Sequence, residues 1–249
     1  MGFLGNIFGN KNAPLHDLSF MEADMHSHLI PGIDDGSPTM EDTLILLKKL
    51  QDLGLRKVIT TPHVQSDVYR NTADTIKKGL EEVRAAVNAD PELNIEVEAA
   101  AEYMVDYDFE KYIQKEELMC FGKQKFILLE CPFFTPPENL NSVLFELRIA
   151  GYRPVLAHAE RYPYWHHSME IYEDLKDREI YLQVNLVSLN NMYGDATRKI
   201  AEKLIKNNFI DFAGTDLHNL LYYDNLLASF KNPWLRKLAE SGKLMNPQL

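Results

Sequence analysis

The sequence predicts an α/β fold in which a parallel sheet, curled into a distorted (β/α)7 barrel, carries its helices on the outside. Three observations point there. Short apolar runs alternate with helically spaced apolar residues about seven times, with no low-complexity linker between them. The 249 residues suit one α/β barrel, and 45% hydrophobic residues supply a sizeable core. Finally, imidazoles and carboxylates recur where the strand-like runs end, and in a parallel barrel those ends share the face on which active sites are built.

Taken in order, Leu18 to Met25 reads as the first strand, running into His26-Ser27-His28. On an extended chain residues i and i+2 point to one side, so both imidazoles would face one point, as two ligands of one ion do. Alone, the pair reads equally well as surface histidines beside a turn. A Gly/Pro-rich loop follows with Asp34-Asp35-Gly36. Thr39 then caps a helix whose Leu44, Leu47 and Leu50 keep helical spacing until Gly54. Lys57 to Thr61 is a short buried strand ending at Pro62-His63. Thr72 caps a second helix to about Ala89, with Ile76, Leu80, Val83 and Val87 on one face. Asn94 to Ala101 is a strand ending at Glu102, and a short helix spans Asp108 to Lys115. Lys125 to Leu129 is a strand ending at Glu130, followed by a helix from Pro137 to Ala150 that Gly151 closes. Arg153 to Ala157 ends at His158, and a helix spans Met169 to Asp177. The sixth strand, Glu179 to Val184, offers Gln183 and Asn185 in place of an acid or imidazole. A helix from Thr197 to Lys206 leads to Ile210–Ala213, which runs on to Asp216 and His218. Helical segments close the chain.

Composition excludes several classes. A formal charge of −11 argues against nucleic acid as a partner, because phosphate-backbone binding needs a basic face. Cys120 and Cys131 are the only cysteines, which is no disulfide framework and fits a reducing, cytoplasmic setting. No run of 18 apolar residues is present to span a membrane, and the first residues lack the basic n-region of a signal peptide. Residues 1–17 read as an N-terminal arm outside the barrel and 18–249 as the barrel domain. No P-loop, no Gly-x-Ser-x-Gly elbow and no Cys-x5-Arg signature occurs.

Each strand-end residue has an ordinary reading of its own. Glu130 could be a loop acid, His63 a turn residue, His158 a satisfied buried histidine. Jointly, about six coincidences at equivalent strand ends would be needed. Five of the eight histidines fall on this face; His16, His166 and His167 do not and read as solvated loop residues. Mixed imidazole and carboxylate donors suit zinc, manganese or iron better than calcium or magnesium. So many donors exceed the needs of one ion, which implies two or three divalent ions.

The ordered set Asp24-Met-His-Ser-His28, Asp34-Asp-Gly36, Thr61-Pro-His63, Ala101-Glu-Tyr103, Leu128-Leu-Glu130, Ala157-His-Ala-Glu-Arg161-Tyr162 and Gly214-Thr-Asp-Leu-His-Asn219 resembles the polymerase and histidinol phosphatase (PHP) superfamily. Within it, the set is most similar to the bacterial manganese-dependent protein-tyrosine phosphatases of capsule and exopolysaccharide loci. The resemblance implies metal ligands at His26, His28, Asp35, His63, Glu102, Glu130, His158, Asp216 and His218; Asp35 is preferred over Asp34 for its place beside Gly36. It implies Mn2+, with iron or zinc as alternatives, and hydrolysis of phosphotyrosine by metal-activated hydroxide. Asp216, His218 and Arg161 are the catalytic candidates, with Arg161 as a bidentate phosphate clamp and Arg70 as its understudy. Tyr103, Phe133, Phe134, Tyr162 and Tyr164 are expected on the rim. The implied partner is a phosphotyrosine protein, a bacterial tyrosine kinase tail, and the resemblance allows a homo-oligomer. Asn246-Pro247 resembles a terminal family signature. The N-terminal arm is longer than in compact members, which bears on assembly and not on ligand identity. A small-molecule phosphatase of the histidinol phosphatase type is the alternative.

Overall fold

A computed structural model describes residues 15–115 and 118–249; the expected arm, apart from Leu15 to Asp17, lies outside the described residues. The strands are β1 (Ala23–Asp24), β2 (Lys57–Thr60), β3 (His63–Val64), β4 (Glu96–Ala99), β5 (Glu102–Met104), β6 (Phe126–Glu130), β7 (Arg153–Leu156), β8 (Tyr181–Asn185) and β9 (Phe212–Gly214). The helices are α1 (Met40–Asp52), α2 (Ala73–Ala89), α3 (Phe109–Lys115), α4 (Leu140–Ile149), α5 (Met169–Asp177), α6 (Asp195–Lys206), α7 (Leu220–Ser229) and α8 (Pro233–Glu240).

All strand pairs are parallel, in two sheets ordered β1-β2-β4 and β3-β5-β6-β7-β8-β9. The two sheets are one interrupted surface. Lys57 pairs with Glu96 in the first sheet and His63 with Glu102 in the second, the same offset, so β2 with β3 and β4 with β5 are two broken strands in one register. The ends of the order then meet: the His28 N–H donates to the Leu217 carbonyl (2.9 Å) and the Asp216 N–H to the His26 carbonyl (2.8 Å). The result is a parallel sheet curled toward closure, with α1 to α6 following the strands as the alternation predicts.

Capping follows the sequence. Thr39 accepts from the Asp42 N–H, and Thr72 forms a reciprocal capping box with Thr75. Side chains alternate along the strands: Phe126 and Leu128 face a small inner core with Met25, Ile59, Val155 and Phe212, while Ile127 and Leu129 face the helices. Full burial of each such side chain contributes roughly 1.5–3 kcal/mol.

The first expected strand is corrected. Only Ala23–Asp24 are extended in register; Ser19 to Glu22 form a turn, in which Met21 N–H bonds the Leu18 carbonyl and Glu22 adopts φ +57°. Leu18 and Met21 are nonetheless buried, so the apolar run marks a buried turn that period alone does not distinguish from a strand.

The seam between β1 and β9 is clipped by two polar side chains. Above, the Asp24 carboxylate accepts from the Thr215 N–H (3.0 Å) and hydroxyl. Below, the fully buried Asn246 accepts from Ala213 N–H (2.9 Å) and donates to the Ala23 and Ala213 carbonyls (3.0 and 2.8 Å). Met245 and Leu249 pack on the inner core beside it. Asn246→Ala is expected to lower stability by at least ~1–3 kcal/mol, since it strands buried backbone groups. A urea midpoint unchanged from the parent would refute this role.

Candidate metal centre

The strand ends open on a cavity of about 410 Å³ whose wall includes Asp35, His63, Glu102, Glu130, His158, Arg161, Asp216 and His218. His26 and His28 are fully buried and reach the same donors from behind the wall. All nine sequence-predicted donor residues converge here. His26 Nε2 lies 3.2 Å from Glu102 Oε2 and 3.3 Å from Asp216 Oδ1; His28 Nε2 lies 3.4 Å from each of the same atoms. His63 Nδ1 stands 3.1 Å from Glu102 Oε2 and 3.6 Å from Glu130 Oε2. His158 Nε2 stands 3.1 Å from Glu102 Oε1 and 3.3 Å from Glu130 Oε1. Asp35 Oδ1 faces His63 Nε2 at 3.5 Å and His218 Nε2 at 3.6 Å. Glu102 thus sits between two groups of donors, one oxygen toward each.

Local backbone makes this convergence possible. His158 and Asp216 both adopt left-handed conformations, φ +31° and +52°, where their strands end. For residues that are not glycine this costs about 1–3 kcal/mol and is concentrated at functional sites. Gly36 lets the Asp34-Asp35 turn press against the His28 backbone: a Cβ there would stand 2.1 Å from the His28 carbonyl oxygen.

Arg161 lies on the cavity wall in a short 3-10 turn, Ala159–Arg161. Its guanidinium is held between the rings of Phe133 (4.5 Å) and Tyr193 (4.0 Å), and its Nη1 donates to Asp216 Oδ2 at 3.3 Å. Arg70 is exposed on its loop, with Nε bonded to the Ser66 carbonyl, and does not line the cavity. Of the expected rim, Phe133 lines the cavity and Phe134 is fully exposed beside it. Tyr103 and Tyr162 are corrected to core positions, their hydroxyls tied to the Met119 and Cys131 N–H groups. Tyr164 bonds the Pro132 carbonyl. His16 and His167 are exposed, but His166 is half-buried and bonded to the Glu160 carbonyl, so it is no solvated loop residue.

The profile of a family described as "Capsular polysaccharide synthesis, CpsB/CapC" matches residues 22–229. The chain belongs to the CpsB/CapC family. Tyrosine-protein phosphatase YwqE of Bacillus subtilis is 25% identical over 197 residues, 79% of this chain and 77% of its own length. Tyrosine-protein phosphatase CpsB of Streptococcus pneumoniae is 24% identical over 202 residues, 79% of this chain and 83% of its own. A crystal structure of YwqE and CpsB, described as unique metal-dependent tyrosine phosphatases, aligns with TM-score 0.77 at 23% identity. It covers 91% of this chain and 94% of that one, a likeness of fold.

In this CpsB/CapC chain the donor set fits divalent cations. Within 4.8 Å, four overlapping groups of His, Asp and Glu donors form: His28, Asp35, His63 and His218; His26, His28 and Glu102; His26, His158 and Asp216; His63, Glu102 and Glu130. Glu102 Oε2 is buried without a hydrogen bond among the described residues, although three imidazole nitrogens stand around it. Electron pairs that converge in this way call for a cation between them.

The electrostatics say the same. Burial opposes charge on His28, but Asp34, Asp216 and Glu102 outweigh it and raise its pKa well above the ordinary range. Burial would raise Glu102, yet the neighbouring His26 and His63 rings and the contact with His158 hold it well below the usual carboxylate range. For His158, burial and the Arg161 cation disfavour the charged form, and Glu102 and Glu130 still lift the pKa to about 9 from an ordinary 6.5. With no metal bound, the raised pKa values favour protonated His28 and His158. A raised folded-state pKa contributes stability that is full below about 6.5 and lost as pH rises through about 9. The metal-free protein is therefore expected to melt at lower temperature as pH rises across that window. Affinity for Mn2+ should rise over the same window, because binding displaces those protons. Melting curves of chelated and Mn2+-loaded protein from pH 6 to 9 test this; a metal-free Tm that climbs with pH would refute it.

Sequence reasoning left Asp34 without a role. It turns away from the cavity, takes the His28 Nδ1–H at 2.8 Å and accepts from the His63 N–H at 3.1 Å. Tyr69 stacks on His63 and Tyr222 on His218, with ring centroids 5.3 and 4.6 Å apart. Nothing in the sequence marks these tyrosines or Tyr193, because each comes from a loop or helix start with no strand pattern to place it.

Proposed function

We propose that this chain is a metal-dependent protein-tyrosine phosphatase that hydrolyses phosphotyrosine on a bacterial tyrosine kinase controlling capsular or exopolysaccharide synthesis, in the cytoplasm. The observation that carries the reading is the cavity lined by seven His, Asp and Glu donors, Arg161 and the Phe133 ring, with His26 and His28 buried against those donors, in a CpsB/CapC-family fold. The names of the relatives support the phosphotyrosine class.

His26, His28, Asp35, His63, Glu102, Glu130, His158, Asp216 and His218 would hold two or three divalent ions, Mn2+ first. Such ions supply Lewis acidity toward a phosphoryl oxygen and lower the pKa of water. The chain's own residues do the rest. Arg161, already fixed between two rings, places a planar fork beside the donors, where it would bind non-bridging phosphoryl oxygens as charge spreads in the transition state. Met104, Pro132, Phe133 and Tyr222 give the cavity an apolar wall suited to an aromatic leaving group.

The deciding experiment compares initial rates on a phosphotyrosine peptide and on histidinol phosphate, with Mn2+ and after chelation. Mn2+-dependent hydrolysis that favours the peptide is expected. Faster turnover of histidinol phosphate would move the chain to the small-molecule class, and rates indifferent to chelation would sink the metal reading. Adding the phosphorylated C-terminal segment of a capsule-locus tyrosine kinase tests the finer substrate assignment.

A further inference from the structure

The sixth strand end, which offers amides where the others offer acids or imidazoles, is tied into the centre by a directional chain of hydrogen bonds. Gln183 and Asn185 are both fully buried. Gln183 Oε1 accepts from the His158 backbone N–H at 2.6 Å and lies 3.1 Å from His26 Nδ1. Gln183 Nε2 donates to Asn185 Oδ1 at 2.8 Å, and Asn185 Nδ2 donates to Asp216 Oδ2 at 2.5 Å.

A backbone N–H can only donate, so the His158 contact fixes which end of the Gln183 amide is oxygen. That choice turns the Gln183 NH2 toward Asn185, the Asn185 oxygen toward Gln183, and the Asn185 NH2 toward Asp216. It also decides the tautomer of His26. Facing a carbonyl oxygen, Nδ1 must carry the proton, which leaves the Nε2 lone pair aimed at Glu102 and Asp216. At the far end, Oδ2 of Asp216 is occupied by Asn185 and Arg161, and Oδ1 is the oxygen that faces His26 and His28. Asn185 is anchored in turn: its N–H donates to Glu160 Oε1 at 3.0 Å, beside the Ser188 hydroxyl at 2.6 Å. Gly214 leaves room for the chain, since a Cβ there would stand 2.7 Å from both Gln183 Nε2 and His26 Cβ.

We propose that Gln183 and Asn185 are positioning residues for the metal centre: through one proton-ordered amide relay they set the His26 tautomer, the seat of His158 and the donor oxygen of Asp216. Three donor residues that follow the ends of three different strands, β1, β7 and β9, are thus aligned from a strand that contributes none. The inference rests on the metal reading of the site, and its test separates the two.

The test uses the full chain and Mn2+ alone as the probe, with binding read by competition against a chelator. Asn185→Asp keeps the shape but accepts where the parent donates, and sets a second carboxylate against Asp216. Gln183→Glu keeps an acceptor for His158 and His26 but cannot donate to Asn185. Each is expected to weaken Mn2+ binding about 10–100-fold, the range for residues that orient ligands from behind. Asn185→Ser, smaller but able to donate, should recover part of the loss. Thermal melts of the chelated proteins supply the readout that a merely structural role would move. Whatever the change in metal-free Tm, the rise in Tm on adding Mn2+ should be smaller than in the parent. Unchanged Mn2+ affinity in both variants overturns the proposal, as does a fall in metal-free Tm that matches the fall in loaded Tm. A parent protein that binds no Mn2+ would instead defeat the metal reading itself. A parent that binds Mn2+ but leaves phosphotyrosine intact would defeat the substrate class and leave the relay standing.

Discussion

Glu102→Gln is expected to release bound metal and lower the rate on a phosphotyrosine peptide by about three orders of magnitude, the largest single effect in the molecule. The carboxylate is buried at the middle of the donor set, with His26, His28 and His63 around Oε2 and His158 beside Oε1. Gln has the same shape, so packing is retained and only the charge and one donor oxygen are lost. The several kcal/mol of charge stabilisation that a metal site supplies correspond to that factor at about 1.4 kcal/mol per tenfold. Glu130→Gln, at the edge of the set and facing His63 and His158, should lose less. Elemental analysis beside initial rates checks both, and a Glu102→Gln protein with full metal content and a near-normal rate would remove Glu102 from the centre.

Arg161→Ala is expected to lower kcat/KM by about two to three orders of magnitude, or ~2.7–4 kcal/mol, the range for a preorganised donor facing developing charge. The bond to Asp216 uses one of the guanidinium's five donors, and the flanking rings of Phe133 and Tyr193 hold the plane in place. Arg161→Lys should recover only part of the loss, because an ammonium has neither the fork nor the stacking face. Arginine is no metal ligand, so metal content should survive the change, whereas His158→Ala should lose metal with activity. An Arg161→Ala enzyme with the parent kcat/KM would end the clamp assignment.

What was legible in the sequence was whatever repeats. The strand–helix alternation, the caps at Thr39 and Thr72, and the recurrence of donors at strand ends all follow from short-range pattern, and the structure has each of them in place. The first strand was misread because Leu18 and Met21 are buried in a turn, and burial without period carries no conformational information. Tyr103 and Tyr162 were misplaced on the rim because an aromatic residue beside a donor looks the same in sequence whether it faces the cavity or the helices. Asp34, Gln183, Asn185 and Tyr193 were unassigned for a further reason. Gln183 and Asn185 reach His26 and Asp216 from far along the chain, pairings that exist only once the sheet has curled, while Asp34 meets the nearby His28 only because the intervening loop folds back.

The seam between β1 and β9 also sets an order of events during synthesis. The Asp24–Thr215 clip joins residues 191 positions apart, and the Asn246–Ala23 bond spans 223. Contacts of such sequence separation form slowly, since the entropy of closing the intervening chain is lost before they repay it. A nascent chain that has reached β8 already holds His26, His28, Glu102 and His158, yet lacks the strand that brings Asp216 and one wall of the cavity. Until β9 arrives, β1 and β8 are open edges whose unpaired N–H and C=O groups invite pairing with another chain. Assembly of the metal centre and protection from edge-to-edge aggregation are therefore the same late step.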